Sequence, residues 1–178
     1  MGETLSLAEI LREHPWPKEW ADARRLDFLW SYDVDLPPDE LWPLVSDVSR
    51  MNRLVGNPEM KFVEKEGLRY GTARYSGVFH AWHEVPWDWV ANRWFSFLRV
   101  YSQGGMKALW TVERIEPLDG GRRSRFYLYF GAVPRWPLLT PVMRLNFNGI
   151  GRAYRKALPE LARAARVAEH HALGNTHA

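Results

Sequence analysis

There is no cysteine among the 178 residues, which excludes disulfides, thiolate metal sites and thiol nucleophiles together. No apolar run approaches the roughly 20 residues needed to cross a bilayer as a helix. Met1-Gly2-Glu3-Thr4 offers neither the basic region nor the apolar stretch of a secretion signal, so a cytoplasmic protein is expected. Gly2 and Ser6 formally fit a myristoylation pattern, but no basic cluster flanks them to strengthen membrane attachment. A glycine-rich phosphate loop, a nucleophile elbow and a dinucleotide fingerprint are also missing. Neither an internal repeat nor a low-complexity linker divides the chain, so one domain without a cofactor is expected.

Charge is of modest excess. The formal net charge is +3, with arginines at 122, 123 and 125 and along residues 144 to 166. A solvated helix face and a strand end account for that pattern, and no nucleic-acid partner is expected.

What the chain has in quantity is aromatic bulk: 14% of residues, with ten tryptophans. Between Gly77 and Phe130 stand Trp82, Trp87, Trp89, Trp94 and Trp110, punctuated by turn signals at Pro86, Gly104-Gly105 and Asp119-Gly120-Gly121. Such runs predict an antiparallel meander. Its aromatic face surrounds either a packed core or a ligand cavity.

Before it, Leu7, Ile10 and Leu11 share one face of a short amphipathic helix, ended by His14-Pro15-Trp16-Pro17. Trp16 and Trp20 are expected to pack on an edge of the domain. Phe28, Trp30, Tyr32 and Val34 alternate with polar residues as a first strand. Leu36-Pro37-Pro38-Asp39-Glu40 opens one helix, and Val48 to Leu54 form a second after a break at Ser46-Asp47. Strands follow at 60–64, 68–75, 78–85, 93–101, 106–115 and 123–133, with a bend at Pro86-Trp87-Asp88-Trp89. From residue 138 to about 171 the apolar period becomes helical through Val142, Leu145, Phe147, Ile150, Tyr154, Leu158, Leu161, Ala165 and Ala168. Pro159 should kink or split that helix. The boundaries expected are an N-terminal helix and arm over 1–26, the main domain over 27–172 and a frayed end over 173–178.

An antiparallel sheet of this size must bury one face, and the long C-terminal helix is the element able to cover it. The α+β order resembles the helix-grip fold of the START-related, birch-pollen-allergen-like (SRPBCC) superfamily. Trp42-Pro43-Leu44-Val45-Ser46-Asp47 and Arg50 to Gly56 look like its helix pair. Trp82 to Val90 and Phe95 to Tyr101, followed by Gly104, resemble the N-terminal domain that precedes class III adenylate/guanylate cyclase domains in some bacterial proteins. The resemblance spans roughly 27–144 and implies a cavity for a hydrophobic or amphipathic small molecule, with a possible regulatory output. The chain has no room for a cyclase catalytic domain; it is either a stand-alone relative or an excised sensory domain, with a fused cyclase as a possible partner.

Several residues are candidates for the site. Trp82, Trp94, Trp110, Phe126 and Tyr129 on the central strands and Tyr154 on the closing helix are expected to line the cavity. Both faces of Arg93 to Tyr101 carry aromatics, so periodicity leaves open which one turns inward. Glu84 and Arg99 fall on neighbouring strands and form either an inward pair that orients a polar ligand group or a structural salt bridge. His80 and Glu84 share a strand face that His83 does not, which offers too few convergent ligands for a metal site. Asp47 with Arg50 or Arg53 suits helix capping. Non-enzymatic ligand binding is the leading functional expectation. The alternatives are a polyketide cyclase/aromatase-like enzyme using Glu84 or His80 as base with Arg99 and Tyr129, and a protein-interaction module.

Overall fold

The computed structural model describes residues 4–75 and 77–174. Gly2 of the myristoylation pattern and residues 175–178 of the expected frayed end lie outside the described residues. Helix α1 spans Leu7–Glu13, its first turn closed by a capping box in which Ser6 and Glu9 each accept from the other's backbone N–H. After β1 (Leu26–Val34) come α2 (Pro38–Val45) and α3 (Val48–Leu54). Asp47 caps α3, its carboxylate accepting from Arg50 N at 2.9 Å, so Asp47 and Arg50 meet as a cap.

Seven more strands follow: β2 (Lys61–Lys65), β3 (Leu68–Tyr75), β4 (Val78–Glu84), β5 (Asp88–Val90), β6 (Trp94–Gln103), β7 (Met106–Leu118) and β8 (Arg123–Pro134). They form one antiparallel sheet in the order β1-β8-β7-β6-β4-β3-β2, with β5 also paired to β6. The bend expected at Pro86–Trp89 thus contains a strand. β4 pairs with the second half of β6 and β5 with its first. Pro86, lacking an N–H, falls where this edge is interrupted. Helix α4 (Thr140–Gly174) closes the fold. It remains one helix through Pro159, against the expected split. The lost N–H costs one backbone bond, whereas Leu158, Leu161 and Ala162 around it are buried in the core.

Helix α4 rests on β1. Phe147 stacks on Phe28 at 4.9 Å and Tyr154 on Tyr32 at 6.3 Å. At Gly151 the helix backbone approaches the Trp30 ring so closely that a Cβ there would overlap the indole. The Tyr32 hydroxyl donates to Gly151 O at 2.7 Å. At this end Val34, Leu41, Val45, Phe95, Phe126 and Leu158 fill a continuous core.

The opposite face of the sheet is covered too. Ile10 packs with Val112 and Tyr129, and Trp16 with Leu98, Ala108 and Val133. Trp16 Nε1 donates to Tyr129 Oη at 2.8 Å, and that hydroxyl donates to Asp27 Oδ1 at 2.7 Å. Trp16 is therefore not an edge anchor, as its sequence context suggested, but lies across the middle of the convex face. No helix among the described residues is long and apolar enough to cross a membrane.

Candidate functional site

Because α4 lies over β1, strands β3, β4, β6 and β7 curve away from it and leave a cavity of about 870 Å³. Phe97, Leu109, Phe130, Met143, Phe147 and Ile150 give it apolar walls. Its polar positions are Tyr75 on β3, His80 on β4, Arg99, Tyr101 and Gln103 on β6, Thr111 and Glu113 on β7, Asn52, Asn146 and Tyr154 on the helices, and Asn57 after α3. Pairing sets this parity: Phe97 faces Thr111 across the β6–β7 ladder, and Arg99 faces Leu109. An apolar cavity with a few placed polar groups is the usual form of a small-molecule site.

Arg99 is the centre of the polar wall, with 5% of its surface exposed. Its Nε donates to Glu84 Oε1 at 2.9 Å, and its guanidinium lies 4.9 Å from the Phe97 ring centre and 5.0 Å from that of Trp82. Burial disfavours the Arg99 cation, but Tyr101, Glu84 and Tyr75 around it outweigh that and raise its pKa. Glu84 in turn accepts from Trp87 Nε1 at 3.3 Å and Arg69 Nη1 at 3.4 Å. It is a fully engaged carboxylate that holds Arg99 in place.

Six buried side-chain polar atoms have no partner among the described residues, and four of them belong to cavity residues: His80 Nδ1, Arg99 Nη2, Thr111 Oγ1 and Glu113 Oε2. Unpaired buried polar groups are costly, about 1–3 kcal/mol each, so their concentration in one cavity marks a place built to be bonded from within. Burial pushes the Glu113 carboxyl well above the usual carboxylate range, with Arg99 opposing only in part. Burial also raises Tyr154, helped by Glu113 and Tyr32, and lowers His80. Burial thus favours the neutral forms of Glu113, His80 and the tyrosines in the cavity, beside the Arg99 cation.

The residues singled out in the sequence separate by strand parity. Arg99 and Tyr154 line the cavity, as does His80. Trp82 and Phe126 belong to the same concave side but are packed into its core, Trp82 over Gly71 and against Phe62, and Phe126 beneath Tyr154. Glu84 lines a second groove of about 550 Å³ with Trp42, Trp87 and Trp89. Trp94, Trp110 and Tyr129 do not line the cavity. Trp94 meets His14 at 4.5 Å, Trp110 donates to His14 O, and Tyr129 bonds Trp16, all on the convex face. The N-terminal arm gives that face an apolar partner, so its aromatics mimic a cavity lining in sequence. His83 points away from His80, and its ring lies tilted against that of Tyr70 at 6.2 Å.

Thr111 and Glu113 were missed. The signal was available: a lone acid two residues from a threonine in an otherwise apolar strand, sharing one face. Phe147 counts in the sequence as part of the apolar stripe of the closing helix but not as lining; its helical phase with Tyr154 puts both on the sheet-facing side.

No protein-family model matches the chain, and no curated protein matches it in sequence. Solved structures do resemble it. The Zhui aromatase/cyclase from Streptomyces sp. R1128 superposes with a TM-score of 0.63 at 14% identity, over 79% of this chain and 94% of that one. A norcoclaurine synthase from Thalictrum flavum, solved with a transition-state analogue, gives 0.58 at 11% identity, over 82% and 98%. The protein Ara h 8.0201 gives 0.50 at 15% identity, over 76% and 98%. The chain has the helix-grip fold: an antiparallel curved sheet closed by a long C-terminal helix. At such identities the likeness is one of fold.

Proposed function

We propose that this protein binds a hydrophobic or amphipathic small molecule between the sheet and α4, without transforming it. The observation that carries this reading is the set of four unpartnered buried polar atoms on the wall of an otherwise apolar cavity. A ligand that buries its apolar body against Phe97, Phe130 and Phe147 and bonds those atoms removes both the exposed apolar surface and the unpaired-group penalty. The Zhui aromatase/cyclase and the analogue-bound norcoclaurine synthase share the fold, which supports the cavity as the working part. A sensory role linked to cyclic-nucleotide signalling, through a fused or docked cyclase domain, rests only on the resemblance of Trp82 to Val90 and Phe95 to Tyr101 to such N-terminal domains.

Native mass spectrometry of the purified protein is expected to show a small-molecule adduct, and titration with the neutral dye N-phenyl-1-naphthylamine a single saturable site. Ile150→Trp, which projects an indole into the cavity, should abolish dye binding. Dye binding unchanged by that substitution would move the site elsewhere. A wild type without adduct or dye binding removes the reading.

A polyketide cyclase- or aromatase-like enzyme is the second reading, favoured by one observation: Glu113, whose neutral form burial favours, shares the cavity with the Arg99 cation. A proton donor beside an anion stabiliser suits chemistry through an enolate. Glu84, engaged by two arginines and an indole, is no longer a suitable base, and Tyr129 lies on the wrong face. Wild type should then accelerate ring closure of a poly-β-ketone probe, with Glu113→Gln losing turnover and keeping dye binding. No acceleration by the wild type discards the enzyme.

A further inference from the structure

The charges around Arg99 identify the polar group of the ligand. Glu84 is 3% exposed and accepts from both Arg99 and Arg69. Two cations therefore share one carboxylate. The other carboxylate near Arg69, Glu64, is 3.7 Å away, and solvent screens both, with the Arg69 side chain 37% and that of Glu64 72% exposed. The charge in excess of Glu84 is that of Arg69 on the outer side, while the Arg99 guanidinium, held by Glu84 at 2.9 Å, keeps donor capacity toward the cavity. Arg99 Nη2 is the part of it with no partner.

Thr111 and Glu113 stand next to it on β7. They are i and i+2 on one strand, so their side chains share the concave face. The register opposite Phe97 and Phe95 sets them beside Arg99 in the same cavity. They are 0% and 3% exposed, and Thr111 Oγ1 and Glu113 Oε2 are both without partners. The wall thus offers a charged N–H donor and two oxygens able to donate O–H bonds. A ligand group with two acceptor oxygens and one negative charge matches the guanidinium N–H and the two O–H donors together. An alcohol or ketone answers only some of the donors, and an ammonium group meets a like charge.

We propose that the ligand is a carboxylic acid with an apolar body, held as its carboxylate by Arg99 Nη2, Thr111 Oγ1 and Glu113 Oε2. This rests on the cavity being a ligand site, and it names the ligand's class. The Glu113 carboxyl serves as a donor only while protonated, the form that burial favours. Among the described residues the other titratable groups facing the cavity are Tyr75, His80, Arg99, Tyr101 and Tyr154. The tyrosines are raised by burial and His80 is lowered by it, so they keep their charge state at neutral and mildly alkaline pH. Loss of the Glu113 proton is then the event that should weaken binding as pH rises.

The test uses three chain-matched probes, decanoate, decanol and decylamine, titrated calorimetrically into the wild type. Decanoate should bind about tenfold or more tighter than decanol, the worth of one hydrogen bond to a charged group, and decylamine weakest. Decanoate affinity should fall as rising pH takes the proton from Glu113, while decanol affinity stays level. Glu113→Gln, whose amide still donates, should keep the low-pH affinity for decanoate and lose the pH dependence. Equal binding of decanoate and decanol overturns the carboxylate and leaves the ligand site standing. So does tightest binding by decylamine, which would make Glu113 an anion. If no probe binds while the neutral dye does, the ligand class is wrong. If the dye fails as well, the ligand site itself is lost.

Discussion

At Glu113 a carboxyl sits inside the fold with one oxygen unpartnered and only Arg99 nearby to favour its charge. Its raised pKa ties stability to pH, and the sign follows directly. The folded state binds this proton more tightly than the unfolded chain does, so the stabilisation is complete below the ordinary value of 4.5. It is lost as pH rises through the folded value. Glu113→Gln removes that slope. The variant should gain stability over wild type at pH 8 and show little difference near pH 4, measured by urea denaturation at both. An equal difference at the two pH values would show that Glu113 is not held neutral. His14 and His80 pull the other way, since burial lowers both and each costs stability as pH falls below about 6.5. They are common to variant and wild type, so the comparison isolates Glu113.

On α4 two glycines two residues apart have opposite roles. Gly149 has open room, its nearest neighbour being Arg152 Nη2 at 4.0 Å, while a Cβ at Gly151 would enter the Trp30 indole. Alanine in a helix interior is worth up to about 1 kcal/mol over glycine. Overpacking a tight contact costs about 1–3 kcal/mol. Gly149→Ala should therefore stabilise by up to about 1 kcal/mol, and Gly151→Ala should destabilise by about 1–2 kcal/mol because the clash outweighs the propensity. Chemical denaturation of the pair checks the sign. Two stabilised variants would mean that α4 can lift from β1 freely. The same contact explains why α4 lies over β1 and leaves the cavity above β6 and β7.

For the molecule as a whole, a ligand that binds only the folded state raises stability in proportion to its saturation. A cavity ligand at about 100 times its Kd should add about 2.7 kcal/mol, a rise in Tm of about 5–10 °C for a chain of this size. Differential scanning calorimetry with and without decanoate checks this. An unmoved Tm at saturating decanoate contradicts binding to the native fold.

Much of this molecule is local, and what is local was legible in the sequence. Turn residues at Glu66-Gly67, Gly104-Gly105 and Asp119-Gly121 cut the chain into strands, Asp47 capped α3, and the change of period after Pro137 announced α4. Together these determined the order of elements and with it the helix-grip fold. The side of the sheet that holds the cavity was not local. On β6 the odd residues Phe95, Phe97, Arg99 and Tyr101 and the even residues Trp94, Ser96 and Leu98 are all largely removed from water. Alternation carries information only when one face stays wet, and the arm with Ile10 and Trp16 erased that contrast by covering the convex side. Trp94, Trp110 and Tyr129 then matched a cavity lining in composition while facing away from it. Glu113 took its meaning in the same way, because a carboxyl becomes a neutral donor only when the fold surrounds it with apolar walls. Sequence by itself determined the elements and their order; burial on both faces of the sheet, which exists only once the chain is folded, decided the site.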